Sequence, residues 1–137
     1  ENRAAPGMEA LLGRLREKGY VLALASSKPE NLCRSICARF GFAPHLTVLV
    51  GSPPNGDWEK EDVVREAIRQ LGLTAADAPQ VLMVGDRKFD VEGARACGVD
   101  CAGVEFFGYA PAGELEEAGA VAVVGTAEEL EAFILAH

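Results

Sequence analysis

At 137 residues the chain is the size of one domain and long enough to build a genuine core, and its 49% hydrophobic and 25% charged residues are ordinary for a soluble globular protein. A formal net charge of -8 argues against a nucleic-acid backbone as partner. No apolar run approaches the length of a bilayer span, and Glu1-Asn2-Arg3 lacks a secretory pattern, so neither nucleic acid nor membrane is an expected partner.

Residues 1–5 read as a linker. Pro6-Gly7 then introduces a helix with Met8, Leu11, Leu12 and Leu15 on one apolar face, and Gly19 closes it. Tyr20 to Ala25 is an uninterrupted apolar run, which predicts a buried strand ending in Ser26-Ser27-Lys28-Pro29. Pro29 cannot continue a strand but suits the first turn of a helix. That helix carries Leu32, Cys33, Ile36, Cys37 and Phe40 on one side and stops near Gly41. Leu46 to Val50 predicts the next strand, followed by Gly51 and the turn formers of Ser52 to Asp57. A helix over 59–71 buries Val63, Val64, Ala67, Ile68 and Leu71 and ends at Gly72.

Gln80 to Asp90 organises the rest. Val81 to Val84 are four consecutive apolar residues, too few for a helix and suited to a strand buried on both faces of a parallel sheet. Gly85 breaks the run, and Asp86 and Asp90 follow with Arg87 and Lys88 between them. A helix over 91–96 ends at Gly98, Val99 to Phe106 predicts a strand, and Gly108 to Pro111 a loop. A short helix over 114–118, a strand over 120–124 and a last helix capped by Thr126, with Glu129 in a capping-box arrangement, complete the chain. Strands alternating with helices predict an α/β fold: a three-layer, Rossmann-like parallel sheet with helices on both faces.

The four cysteines are Cys33 and Cys37 at helical spacing, and Cys97 and Cys101 across a helix end and the next strand. A zinc site is the alternative to buried core thiols, but the spacing is not Cys-x-x-Cys and the first pair falls on an apolar stripe. Nothing requires an oxidising compartment, which makes the cytoplasm the expected location.

A parallel sheet delivers its loops to one edge, where open α/β folds bind ligands. Three loops converge there: Ser26-Ser27-Lys28, the turn leading to Lys60, and Gly85-Asp86 with Asp90. Each has a plain structural explanation. Ser26 or Ser27 can cap the helix that begins at Pro29, Lys60 can be a solvated first-turn lysine, and Asp86 can be a helix cap. Taken together they divide the work of binding a phosphate. Hydroxyls and backbone N–H groups at a helix N-terminus cradle anionic oxygens, a lysine adds a point charge, and paired carboxylates suit magnesium.

Ser26 after Leu22-Ala-Leu-Ala, Lys60 before an amphipathic helix, and Gly85-Asp-Arg-Lys-Phe-Asp90 resemble the second, third and fourth motifs of the haloacid dehalogenase superfamily. Pro6-Gly7, Ser26-Ser-Lys-Pro29, Gly51-Ser52, Gly85-Asp-Arg87, Gly103-Val104 and Phe107-Gly-Tyr109 narrow the resemblance to its phosphoglycolate-phosphatase-like branch, in order from about Pro6 onward. The resemblance implies a magnesium-dependent phosphomonoester hydrolase acting on a small phosphorylated metabolite through an aspartyl-phosphate. By similarity Ser26 hydrogen-bonds the phosphoryl group with help from the Ser27 backbone, Lys60 bridges phosphate and nucleophile, Asp86 ligates magnesium, and Asp90 supports the metal.

The family's first motif, an apolar strand ending in Asp-x-Asp-Gly-Thr, is nowhere in these residues, nor is the cap that follows it. In the family that strand lies between those expected at Tyr20–Ala25 and Val81–Val84. Residues 6–137 are therefore expected to be an incomplete core domain, with 1–5 the end of a linker from the cap. Such a chain holds phosphate and metal but carries no nucleophile, so alone it is expected to be inactive. The alternative is a rearranged domain in which the two flanking strands pair directly, a non-catalytic phosphate-binding or interaction module. Apolar edges left by a missing strand would favour self-association or pairing with the missing N-terminal part. A dinucleotide-binding domain lacks its Gly-x-Gly-x-x-Gly, and a receiver domain also needs an acceptor aspartate on a suitable strand.

Overall fold

A computed structural model describes residues 7–54, 56–106 and 110–137. The expected linker, Pro6, Asn55 and the Phe107-Gly108-Tyr109 segment lie outside the described residues. The chain divides into two compact units, Glu1–Gly72 and Leu73–His137. The fold is α/β, with parallel sheets flanked by helices.

In the first unit, α1 (Met8–Glu17), β1 (Ala23–Pro29), α2 (Glu30–Phe40), β2 (Val48–Ser52) and α3 (Lys60–Gln70) follow one another, with a 3₁₀ turn at Ala43–His45. β1 and β2 run parallel, pairing Ala23 with Val48, Leu24 with Leu49 and Ala25 with Val50. Val48, Val50, Val63 and Ala67 form a buried cluster against Ala25, Trp58 and Leu71, which seats α3 on one face of the sheet. Gly51 points to the opposite face, where a Cβ would come within 2.5 Å of Glu30 Cα. Only glycine allows the first residue of α2 to approach the strand so closely.

The second unit contains a 3₁₀ turn at Ala75–Gln80, then β3 (Leu82–Gly85), α4 (Lys88–Ala96), β4 (Asp100–Val104), α5 (Glu114–Ala118), β5 (Ala122–Val124) and α6 (Ala127–Ala136). Its sheet order is β3-β4-β5, all parallel. A Cβ on Gly103 would lie 2.9 Å from Leu115 Cδ1, so α5 presses directly on β4. The Thr126 cap forms as expected, its hydroxyl accepting the Glu129 N–H while Glu129 Oε1 accepts from Gly125 N–H.

Several strands begin later than their apolar runs, for one reason. Tyr20, Val99 and Ala120 each donate a backbone N–H back into the helix just ended, to Leu15, Ala94 and Leu115, with Gly19, Gly98 and Gly119 in the left-handed region between. These are Schellman closures, and their apolar last residue belongs to the helix end rather than to the strand. Tyr20 and Val21 are exposed, not buried as expected. Pro29, expected only in a helix, ends β1 and precedes α2 with φ -55° and ψ 142°, a conformation that serves both. α4 starts at Lys88 rather than 91, because Asp90 caps its first turn.

β1 has only β2 as a sheet neighbour and β3 only β4 among the described residues. No described helix is long and apolar enough to cross a membrane. None of the four cysteines is in a disulfide; Cys33, Cys37 and Cys101 are buried as expected, whereas Cys97 is partly exposed. Burial pushes the Cys37 thiol pKa up, helped by neighbouring Cys33, so Cys37 behaves as a neutral core group. No group of three metal-ligating side chains gathers among the described residues, cysteines included.

Candidate functional site

The Ser26-Ser27-Lys28 segment is where the β1–β2 ladder loses register. Ala25 pairs with Val50 and Pro29 with Ser52, so four steps along β1 (25 to 29) match two along β2 (50 to 52). The surplus bulges the chain out at the carboxyl end of the strand. Ser26 Oγ accepts the Lys28 N–H at 3.2 Å, which tightens the bulge. Neither serine caps α2, whose N-cap is Pro29 with no side-chain hydrogen bond. Ser27 is exposed.

Lys60 reaches this bulge from the start of α3, the helix that follows β2. Ser52, buried, donates its hydroxyl to the Gly56 carbonyl at 2.8 Å and accepts the Trp58 N–H at 3.4 Å, folding the connection after β2. Glu59 and Asp62 form a capping box that starts α3 at Lys60. The half-buried Lys60 then donates from Nζ to the Ala25 carbonyl at 3.3 Å, one residue before Ser26. This is not a solvated surface lysine. The structure brings Lys60 to the end of β1, beside the Ser26-Ser27 segment.

In the second unit Asp86 follows the last residue of β3 directly, and Asp90 is buried in the first turn of α4. Asp90 Oδ2 accepts two backbone N–H groups, Asp86 at 3.0 Å and Arg87 at 3.1 Å. The helix cap anticipated at Asp86 is thus supplied by Asp90, and Asp86 is the acid that the resulting loop displays. A Cβ on Gly85 would collide with Asp90 Cβ, so the glycine is required by this close approach. The donor set of Asp86 and Asp90 is carboxylate oxygen alone, the chemistry that magnesium selects when waters and a phosphate complete its shell.

Glu114 is a contributor that sequence reasoning missed. Its carboxylate accepts from Arg87 Nε at 2.8 Å and Nη2 at 3.3 Å, and from the Lys88 N–H at 2.9 Å. The Arg87 fork, then the Lys88 N–H, holds the Glu114 pKa below the ordinary carboxylate value, and the same bond raises that of Arg87. Phe89 is half-exposed, with the Arg87 and Lys88 cations each 5.5 Å from its ring centroid. No other aspartate directly follows a described strand. Asp57 lies in the loop after β2, Asp62 caps α3, Asp77 accepts the Thr74 N–H, and Asp100 opens β4 beside His137.

The family model for haloacid dehalogenase-like hydrolases matches residues 1–104. A phosphoglycolate phosphatase of Cupriavidus necator is 36% identical over 130 residues, covering 94% of this chain and 54% of its own length. Tyrosine-protein kinase PtkA of Mycobacterium tuberculosis is 36% identical over 127 residues, covering 92% and 42%. The crystal structure of a predicted phosphatase from Clostridium acetobutylicum superposes with a TM-score of 0.89 at 36% identity, covering 96% of this chain and 60% of that one. The chain therefore spans about half the length of the curated relatives it matches. The match over most of the chain, with the motif residues in order, places it in the haloacid dehalogenase-like hydrolase family, in the phosphoglycolate-phosphatase-like branch.

Proposed function

We propose that this chain is the phosphate- and magnesium-holding part of a cytoplasmic phosphomonoester hydrolase, with a small phosphorylated metabolite as substrate. The observation that carries the reading is the Lys60 ammonium resting on the Ala25 carbonyl, beside a bulged Ser26-Ser27 segment at a strand end. There Ser26 and the Ser27 backbone bind phosphoryl oxygens, and Lys60 offsets their charge. Asp86 is the residue that would hold magnesium, with Asp90 shaping the loop that presents it. The ion would supply charge neutralisation at the phosphoryl oxygens.

The attacking aspartate and the general acid two residues beyond it lie, on this reading, on a strand outside these residues, in an intact enzyme that works through an aspartyl-phosphate. Residues 6–137 are then an incomplete core and residues 1–5 the end of a linker from a cap. The phosphoglycolate phosphatase relative supports hydrolysis. The kinase relative favours a second reading, in which the same residues serve phosphoryl transfer to an acceptor other than water.

Calorimetric titration of the chain with orthophosphate, with and without magnesium chloride, tests the holding role. Binding should strengthen with magnesium and weaken in Lys60→Met and Ser26→Ala. Orthophosphate binding that is absent, or equal in the parent chain and Lys60→Met, contradicts the reading.

A further inference from the structure

Three successive backbone N–H groups of the loop after β3 are taken by two carboxylates. Asp90 accepts from Asp86 and Arg87, and Glu114 accepts from Lys88. Glu114 comes from α5, 27 positions from Arg87, and its side chain is only 11% exposed against 38% for the arginine. The Arg87 guanidinium is aimed at Glu114 through both donors of its fork, yet Asp86 and Asp90 both lie within its electrostatic reach. A guanidinium fits a carboxylate in two-point fashion and is a ready competitor for any cation at that carboxylate.

We infer that Glu114 is a positioning residue, which keeps the Arg87 guanidinium off Asp86 so that the aspartate can take a divalent cation. This rests on the reading of Asp86 as a metal ligand. With Glu114 neutralised, the fork loses its charged partner, and Asp86 and Asp90 are the other carboxylates whose charge it feels. Arg87 then occupies the oxygens that the cation needs. Outer partners of this kind typically alter metal affinity 10- to 100-fold. A simple brace for the loop behaves differently from a restraint on a competitor. If Glu114 only braces, removing Arg87 as well leaves the loop no better held. If Glu114 restrains Arg87, removing Arg87 restores the site.

Manganese chloride, titrated into the chain and followed by electron paramagnetic resonance, reads the affinity without any need for turnover. Glu114→Gln should bind manganese about tenfold more weakly, and Arg87→Met in that background should recover most of the loss. Parental affinity in Glu114→Gln overturns the inference, as does a double variant no tighter than the single one. Asp86→Asn is the separate check on the metal reading. It should lose manganese binding, and parental affinity there removes the metal site and the role of Glu114 with it. If circular dichroism finds Glu114→Gln unfolded, Glu114→Asp, which keeps the charge but shortens its reach, takes its place with the same expected loss and the same rescue.

Discussion

β1 and β3 carry the longest apolar runs leading to a candidate site, yet they are less buried than their neighbours β2 and β4. Ala23 to Ala25 and Leu82 to Val84 are at best half-buried, whereas all but one residue in each of β2 and β4 is buried. Val21, just before β1, is 62% exposed, while Val50 of β2 and Val104 of β4 are 2% and 1% exposed. Apolar sequence on both faces is the pattern of an interior parallel strand, with a partner on each side and helices above and below. β2 and β4 are covered by the helices this chain supplies. β1 and β3, like the well-covered β2, each have one strand neighbour among the described residues, but their composition asks for more cover than they have. On the account proposed above, the missing cover is the strand that bears the nucleophile.

The contrast can be broken by substitution. The largest effect is expected outside it, at the site: Gly85→Ala drives a Cβ into Asp90 and should cost about 3 kcal/mol in chemical denaturation. The direct comparison sets Val104→Ala, in buried β4, against Val84→Ala in half-buried β3. The first should cost about 2 kcal/mol and the second less than about 1 kcal/mol. Equal costs would mean that β3 is as well covered as β4. The smallest effect belongs to the solvated side of α3. Glu66 is held down to about 2 by its bonds to Arg69 and then Gln70. A depressed carboxylate adds stability that is present above its unfolded value and lost as pH falls through the folded one. The melting-temperature deficit of Glu66→Gln should therefore be slight at neutral pH, shrink below about pH 4 and vanish near pH 2. A deficit unchanged across that range would mean the charge contributes nothing.

The helices were legible because their stripes, glycine stops and caps are local. α5 was read with the bounds it has, and the Thr126–Glu129 pair was visible as a spacing. Strand starts were misread where an apolar residue closes a helix, as at Tyr20, Val99 and Ala120. Composition cannot separate that role from a first strand residue. At the site, the acids stood out because they follow an apolar run, but their division of labour depends on the depth at which Asp90 sits. Contacts between distant positions left no local trace: Lys60 with Ala25 and Glu114 with Arg87 join residues 35 and 27 apart. The one local hint for the latter was a cation placed between two acids, Arg87 between Asp86 and Asp90.

The central claim is that these residues hold phosphate and metal but do not attack. Its most direct test is turnover of p-nitrophenyl phosphate with magnesium by the purified chain, in a preparation already shown to bind orthophosphate. The account predicts no turnover above that of buffer. Turnover that depends on magnesium and disappears in Asp86→Asn would place a nucleophile within these residues and contradict it.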